Sequence, residues 1–213
     1  MMQPLKQAIF TRIRLDWPAT LEEWDVRHSF YKAAHGRNDS DYPYPDPAPV
    51  IRTARLYDTS LLVPSLYYEL STRDPSKIRW NLVGEKDLVI AFVGRQRMLN
   101  WIVERSTRWT KYEAYNPWKC TANFPDEKRS ECCSTFRTCL FTETYTRLIS
   151  CTDLLKGLEF PIGKKRSWNQ WFDEFGESLE VNLCDSCDLA SNARWKTLRN
   201  ELFERFPEFF KIL

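Results

Sequence analysis

Glycine is scarce in this chain, 6 of 213 residues. Tight β-hairpins and phosphate-cradling loops draw on positive-φ positions that glycine fills best, so both are disfavoured. Histidine is scarcer still. His28 and His35 are the 2 present, and neither stands at a metal-motif or triad-like spacing. No G-x-S-x-G, H-E-x-x-H, P-loop or G-x-G-x-x-G pattern occurs. The carboxylate pairs Glu22-Glu23 and Asp173-Glu174 read as solvated helix faces, which leaves no catalytic constellation and the expectation of a non-enzyme. No apolar run approaches the roughly 18 residues of a membrane span. Ala8-Ile9-Phe10 is too short for a signal-peptide core, so the expected location is intracellular, cytoplasm or nucleus. Charge of one sign is lacking too: 31 Lys+Arg face 29 Asp+Glu for a net +2. That gives no electrostatic case for nucleic acid or an acidic membrane.

Aromatic residues are plentiful, with 9 Trp, 9 Tyr and 13 Phe. They supply large buried areas per residue, and their spacing is helical. Leu5, Ile9 and Ile13 recur at steps of four, predicting a helix over 3–14 that Asp16-Trp17-Pro18 stops. Thr20-Leu21-Glu22-Glu23 reads as a capping box that opens a helix from 21 to about 30, with Trp24 inward. Residues 35–49, with four prolines, read as a solvent loop. Two short helices, 50–57 and a second capped by Ser60, should form an antiparallel pair. Pro64 lies in the first turn of the second, Leu66, Tyr67 and Leu70 on its apolar side, and Asp74-Pro75 ends it.

A long helix over 85–109 carries Leu88, Phe92, Arg95, Leu99 and Ile102 as its stripe. Gly94 within it fits either a kink or a close helix contact. A loop over 116–124 precedes a helix from Pro125 to about Cys151, with Cys133, Phe136, Leu140 and Leu148 inward. After a linker at 161–166, Ser167 caps a helix bearing Trp168, Trp171, Phe172, Phe175 and Leu179. The last helix, about 186–205, carries Leu189, Trp195, Leu198 and Leu202, and Pro207 stops it. Phe203, Phe206, Phe209 and Phe210 are expected to dock within the molecule as a lid. Strand-type alternation is not found, so the expected fold is all-α: a helical bundle of paired antiparallel helices with a loop-rich centre.

All 7 cysteines fall at or after Cys120. In a reducing compartment they suit core thiols or metal ligands better than disulfides. Cys184-Asp185-Ser186-Cys187 at a helix entry would present two thiolates to a tetrahedral zinc at about 2.3 Å. Cys120 and one of Cys132 or Cys133 could complete the set, so the candidate structural zinc site is Cys120, Cys132, Cys184 and Cys187. Free thiols remain the alternative, with Cys139 on a core stripe. A redox pair is disfavoured because no βαβ pattern surrounds it.

Several segments together resemble the region after the core of BTB/POZ proteins expanded in mushroom-forming fungi. They are Thr11-Arg12-Ile13-Arg14-Leu15-Asp16-Trp17-Pro18-Ala19-Thr20-Leu21-Glu22-Glu23-Trp24-Asp25, and Val50-Ile51-Arg52-Thr53-Ala54-Arg55-Leu56-Tyr57-Asp58 running into Leu61-Leu62-Val63-Pro64-Ser65-Leu66-Tyr67-Tyr68-Glu69-Leu70-Ser71. Asp87-Leu88 with Gly94-Arg95 and Leu99 continues the likeness. Cys184 and Cys187, followed by Phe203-Glu204-Arg205-Phe206-Pro207-Glu208-Phe209-Phe210, complete it. The pattern departs at Phe203 and Lys211, where the family usually carries Trp and Gly. Met1 stands where such a protein would already have finished its BTB sheet, so the resemblance implies the BACK-like helical region without the BTB core. Dimerisation through that core is then not expected. The implied organisation is post-BTB helices over 1–34, the Pro/Asp-rich loop 35–49, BACK-like helix pairs over 50–115 and a cysteine-containing helical subdomain over 116–213. The implied function is a protein-interaction or scaffold module of a BTB-type adaptor with a protein partner. The alternatives are a small zinc-stapled regulatory domain and an orphan helical enzyme.

Overall fold

Every regular element is helical, and no strand occurs, among the residues that the computed structural model describes: 3–35, 45–56, 63–108, 153–158 and 185–211. The fold is all-α. Contacts divide the chain into two compact units, residues 1–98 with 202–213, and residues 99–201. The expected elements over 109–152 and 159–184, with their loop, linker and two helices, lie outside the described residues.

In the first unit, α1 (Gln3–Asp16) and α2 (Leu21–His35) are joined by the Trp17-Pro18 break. The capping box closes as its sequence requires. The Glu23 amide donates to Thr20 Oγ1 at 3.2 Å, and the Ala19 and Thr20 amides donate to Glu23 Oε2 at 3.1 and 3.3 Å. With its first amides satisfied, α2 runs a full turn beyond the expected end near 30. The α1 stripe is buried at Ile13 but not at Ile9, and the Leu5 side chain lies outside the described residues.

α3 (Pro47–Leu56) begins inside the stretch expected to be loop. Asp46 Oδ1 accepts from the Ala48 amide at 3.1 Å, and Pro47 takes the first helical position. The opening amides of a helix have no intrahelical acceptor, so Pro47 and Pro49 forfeit nothing there. α4 (Val63–Thr72) is buried on every side from Ser65 to Thr72. A helix enclosed all round sits at the centre of its unit. It packs against α3 and against the C-terminal turn α8 (Phe206–Phe209). Two 3-10 turns, Pro75–Lys77 and Trp80–Leu82, follow it. The first is capped by Asp74, whose carboxylate accepts from the Ser76 amide at 2.9 Å.

The long helix α5 (Glu85–Arg108) buries Asp87, Ala91, Gly94, Met98, Ile102 and Ser106. Of the stripe that the sequence suggests, Ile102 is buried, but the larger part, Leu88, Phe92, Arg95 and Leu99, is only half-buried. It lies one residue along, roughly 100° around the axis. The reason is Gly94. A Cβ built there would overlap Cδ1 and Cε1 of Phe210, so the small face of the helix is the one that receives the aromatic ring. The glycine therefore serves a close contact. Gly94→Ala should destabilise the protein by about 1–2 kcal/mol. The roughly 1 kcal/mol gained in helix propensity is outweighed by overpacking a buried ring that cannot retreat. Urea unfolding checks it, and a stabilised variant would show that the ring is free to move.

Within the second unit, the described part comprises the end of α5, the short helix α6 (Leu154–Gly157) and most of α7 (Asp185–Glu204). Ile102, Leu154, Leu155, Leu158, Trp195 and Leu198 are buried there. Arg199 Nε donates to the Leu155 carbonyl at 3.1 Å, and Arg105 pairs with Glu201 at 3.2 Å. Leu189, expected on the inner stripe, is 69% exposed. Among the described side chains of α7, Trp195 is the first that is buried. α7 ends at Glu204, close to the end expected before Pro207, and Pro207 itself lies in the first turn of the short helix α8.

Candidate functional site

Of the four cysteines proposed for zinc, Cys120, Cys132 and Cys184 lie outside the described residues, as does the Cys187 side chain. Cys187 itself falls in the first turn of α7. No group of three His, Cys, Asp or Glu side chains that could hold a metal occurs among the described residues.

The chemistry of the first unit is concentrated around Arg27. Its guanidinium lies buried between α2 and α4, where Nη2 donates to Glu69 Oε2 at 2.8 Å. Nη1 donates to the Asp16 carbonyl, and the guanidinium stacks 4.1 Å from the centre of the Trp24 ring. Arg27 and Glu69 are both almost fully enclosed. A charge so placed is tolerable only when paired and hydrogen-bonded, and the Trp24 face adds a cation–π attraction. The pair holds α1, α2 and α4 to one another.

Sequence reasoning missed this pair. Its signal was there: Glu69 interrupts the otherwise apolar Leu66-Tyr67-Tyr68 and Leu70 run, and Arg27 follows the inward Trp24 by three residues. A charge in the middle of a buried helix demands a partner. Tyr67 answers a second such demand, donating its hydroxyl to Asp87 Oδ1 at 2.6 Å within the core. Ser65 Oγ likewise donates to the Pro18 carbonyl at 3.0 Å.

Tyr31 borders the Arg27 cluster and donates to Asp16 Oδ1 at 3.1 Å. Burial lifts its phenol above the ordinary value of 10.0, the Asp16 charge and hydrogen bond add to the rise, and Arg27 and Arg12 oppose it. A raised phenol pKa favours the folded state while the hydroxyl keeps its proton. That contribution is complete below the ordinary phenol range and is lost as pH climbs through the folded value. Unfolding free energy should therefore decline above about pH 10. Tyr31→Phe should flatten this part of the profile in denaturant titrations; an unchanged profile would assign the decline to other groups.

The C-terminal phenylalanines complete the same core, as the lid expectation requires. Phe206 stacks on Tyr68 with ring centres 4.5 Å apart, and Phe210 stacks on Tyr67 at 6.1 Å. Phe203 meets the edge of Trp24 at 6.0 Å and lies 4.9 Å from Phe206. All four phenylalanines are buried.

Among the described residues, two pairs of exposed apolar side chains stand one helical turn apart. On α2, Val26 and Phe30 lie one turn apart and are 66% and 67% exposed. On α5, Val89 and Val93 repeat that spacing within a groove of about 450 Å³, lined also by Glu85, Lys86, Ile90, Arg97 and Lys211. No helix among the described residues is long and apolar enough to cross a membrane.

The first unit thus belongs to the all-α folds, closed by an aromatic C-terminal segment on a central buried helix. Comparison with protein-family models, with curated proteins and with solved structures finds no match.

Proposed function

We propose that this chain is a non-enzymatic protein-interaction module of the helical kind that accompanies BTB cores, recognising a protein partner. The observation that carries the reading is the Val26–Phe30 pair. Trp24 and Arg27 of the same helix are locked into the core, so α2 holds the two exposed side chains on a rigid support. Apolar side chains one turn apart on a fixed helix are what a partner's groove or helix covers. The segments that carry the BTB-associated resemblance add support, since Trp24, Tyr68, Phe203 and Phe206 from three of them meet in one aromatic cluster. The buried pairs Arg27–Glu69 and Tyr67–Asp87 face each other, which suits holding helices rather than meeting a substrate.

Affinity capture with the full chain and with Val26→Ser/Phe30→Ser tests this. The double variant should keep its helical far-UV spectrum and lose the proteins the wild type retains. An unchanged set would remove the carrying observation.

A zinc-stapled regulatory domain is the second reading, favoured by the start of α7 at Asp185, which sets Cys187 in its first turn. Such a domain would carry stoichiometric zinc after reducing purification and lose it on Cys184→Ser/Cys187→Ser. Zinc-free protein would end that reading.

A further inference from the structure

The α5 groove combines an apolar lining with an excess of positive charge. Val89 and Val93 are exposed at i, i+4 while Ile90 between them is buried, so two aliphatic side chains stand side by side over a filled base. Among the described residues that line the groove, three are cations, Lys86, Arg97 and Lys211, and one is a carboxylate, Glu85. The excess is local, because the chain as a whole is close to neutral at +2. Arg97 is also fixed in place: Nη1 donates at 3.1 Å to the carbonyl of Phe209, two residues before Lys211. The docked C-terminal segment thus contributes one wall of the groove.

We propose that this groove takes an acidic amphipathic helix from a partner protein, a reading that rests on the interaction function proposed above. Two aliphatic side chains one turn apart would lie on Val89 and Val93, and flanking Asp or Glu residues would face Lys86, Arg97 and Lys211. Opposite charge selects among apolar helices and speeds their approach. A nucleic-acid strand fits less well, since the valines offer a phosphate backbone neither charge nor an aromatic face for a base.

The test titrates the full chain into a fluorescein-labelled helical peptide of about 16 residues, long enough to hold helical structure. It carries leucines at i, i+4 flanked by glutamates. One comparator has lysine for every glutamate, and another has serine for every leucine. The acidic leucine peptide should bind at least about tenfold more tightly than either, and more weakly as salt is added. Val89→Ser/Val93→Ser should lose about tenfold, and Lys86→Glu/Lys211→Glu should reverse the preference between acidic and basic peptides. Both variants should keep the wild-type helical spectrum and unfolding midpoint.

Equal binding of the basic peptide would overturn the proposal, as would undiminished binding by the valine variant. So would tighter binding of a single-stranded oligonucleotide or a phosphatidylserine vesicle that the acidic peptide cannot displace. Failure here with partner capture still dependent on Val26 and Phe30 removes the groove and leaves the interaction module. Failure of both removes the module itself.

Discussion

Replacing Glu69 with leucine is expected to cost about 3–5 kcal/mol. The substitution leaves the Arg27 guanidinium enclosed between α2 and α4 with its carboxylate partner gone. Against a total stability on the order of 5–15 kcal/mol, such a loss brings the domain close to unfolding. Arg27→Met should be comparably severe, because it strands Glu69 and also removes the hydrogen bond to the Asp16 carbonyl. The double variant Arg27→Met/Glu69→Leu separates two accounts of the pair. Removing both charges abolishes the desolvation penalty, and buried pairs so replaced are often neutral or stabilising by about 1–4 kcal/mol. The double variant should therefore be markedly more stable than either single one. A urea-unfolding cycle over the four proteins reads this directly. Additive losses would mean that the two side chains act independently and that the pair does not hold the helices together.

Phe206→Ala should cost about 3–5 kcal/mol as well, by a different mechanism. The Phe206 ring is fully enclosed, stacked on Tyr68 and in contact with both Phe203 and Phe210. Deleting it leaves a cavity among aromatic rings that cannot easily collapse. The loss would also loosen α8 from α4, and with it the Phe210 ring that fills the face of Gly94. Glu208→Ala, two residues on, is the comparison. Its ion pair with Arg205 is about half exposed to solvent, so the change should stay within about 0.5 kcal/mol. Thermal and urea unfolding of both variants decide the matter. A Phe206→Ala protein as stable as the wild type would mean that the C-terminal segment is not part of the core.

Local signals were legible in proportion to how local their physics is. The capping box at Thr20 and Glu23 is decided within four residues, and its hydrogen bonds form as the spacing requires. The break at Trp17-Pro18, the end of α4 before Asp74-Pro75 and the all-helical character follow from the same short-range rules. The burial of Trp195, Leu198 and Leu202 also follows from helical period. The start of α3 departs from the expected loop, because prolines at a helix entry resemble a loop in sequence and the Asp46 cap beside them decides for the helix.

The sequence by itself determined that this protein is built of helices, where most of the described ones begin and end, and that Trp24, Tyr67, Trp195 and the C-terminal phenylalanines would lie in its core. Which helix face turns inward on α5 belonged to the tertiary structure. Helical period selects a set of residues, but only the Phe210 ring makes the glycine face the buried one. The pairing of Arg27 with Glu69 was decided there too, since the partners stand 42 residues apart and no local rule links them. The two exposed pairs have the same origin. An apolar residue such as Val26 or Val89 reads alike in sequence whether covered or bare, and only packing of the neighbouring elements leaves it exposed.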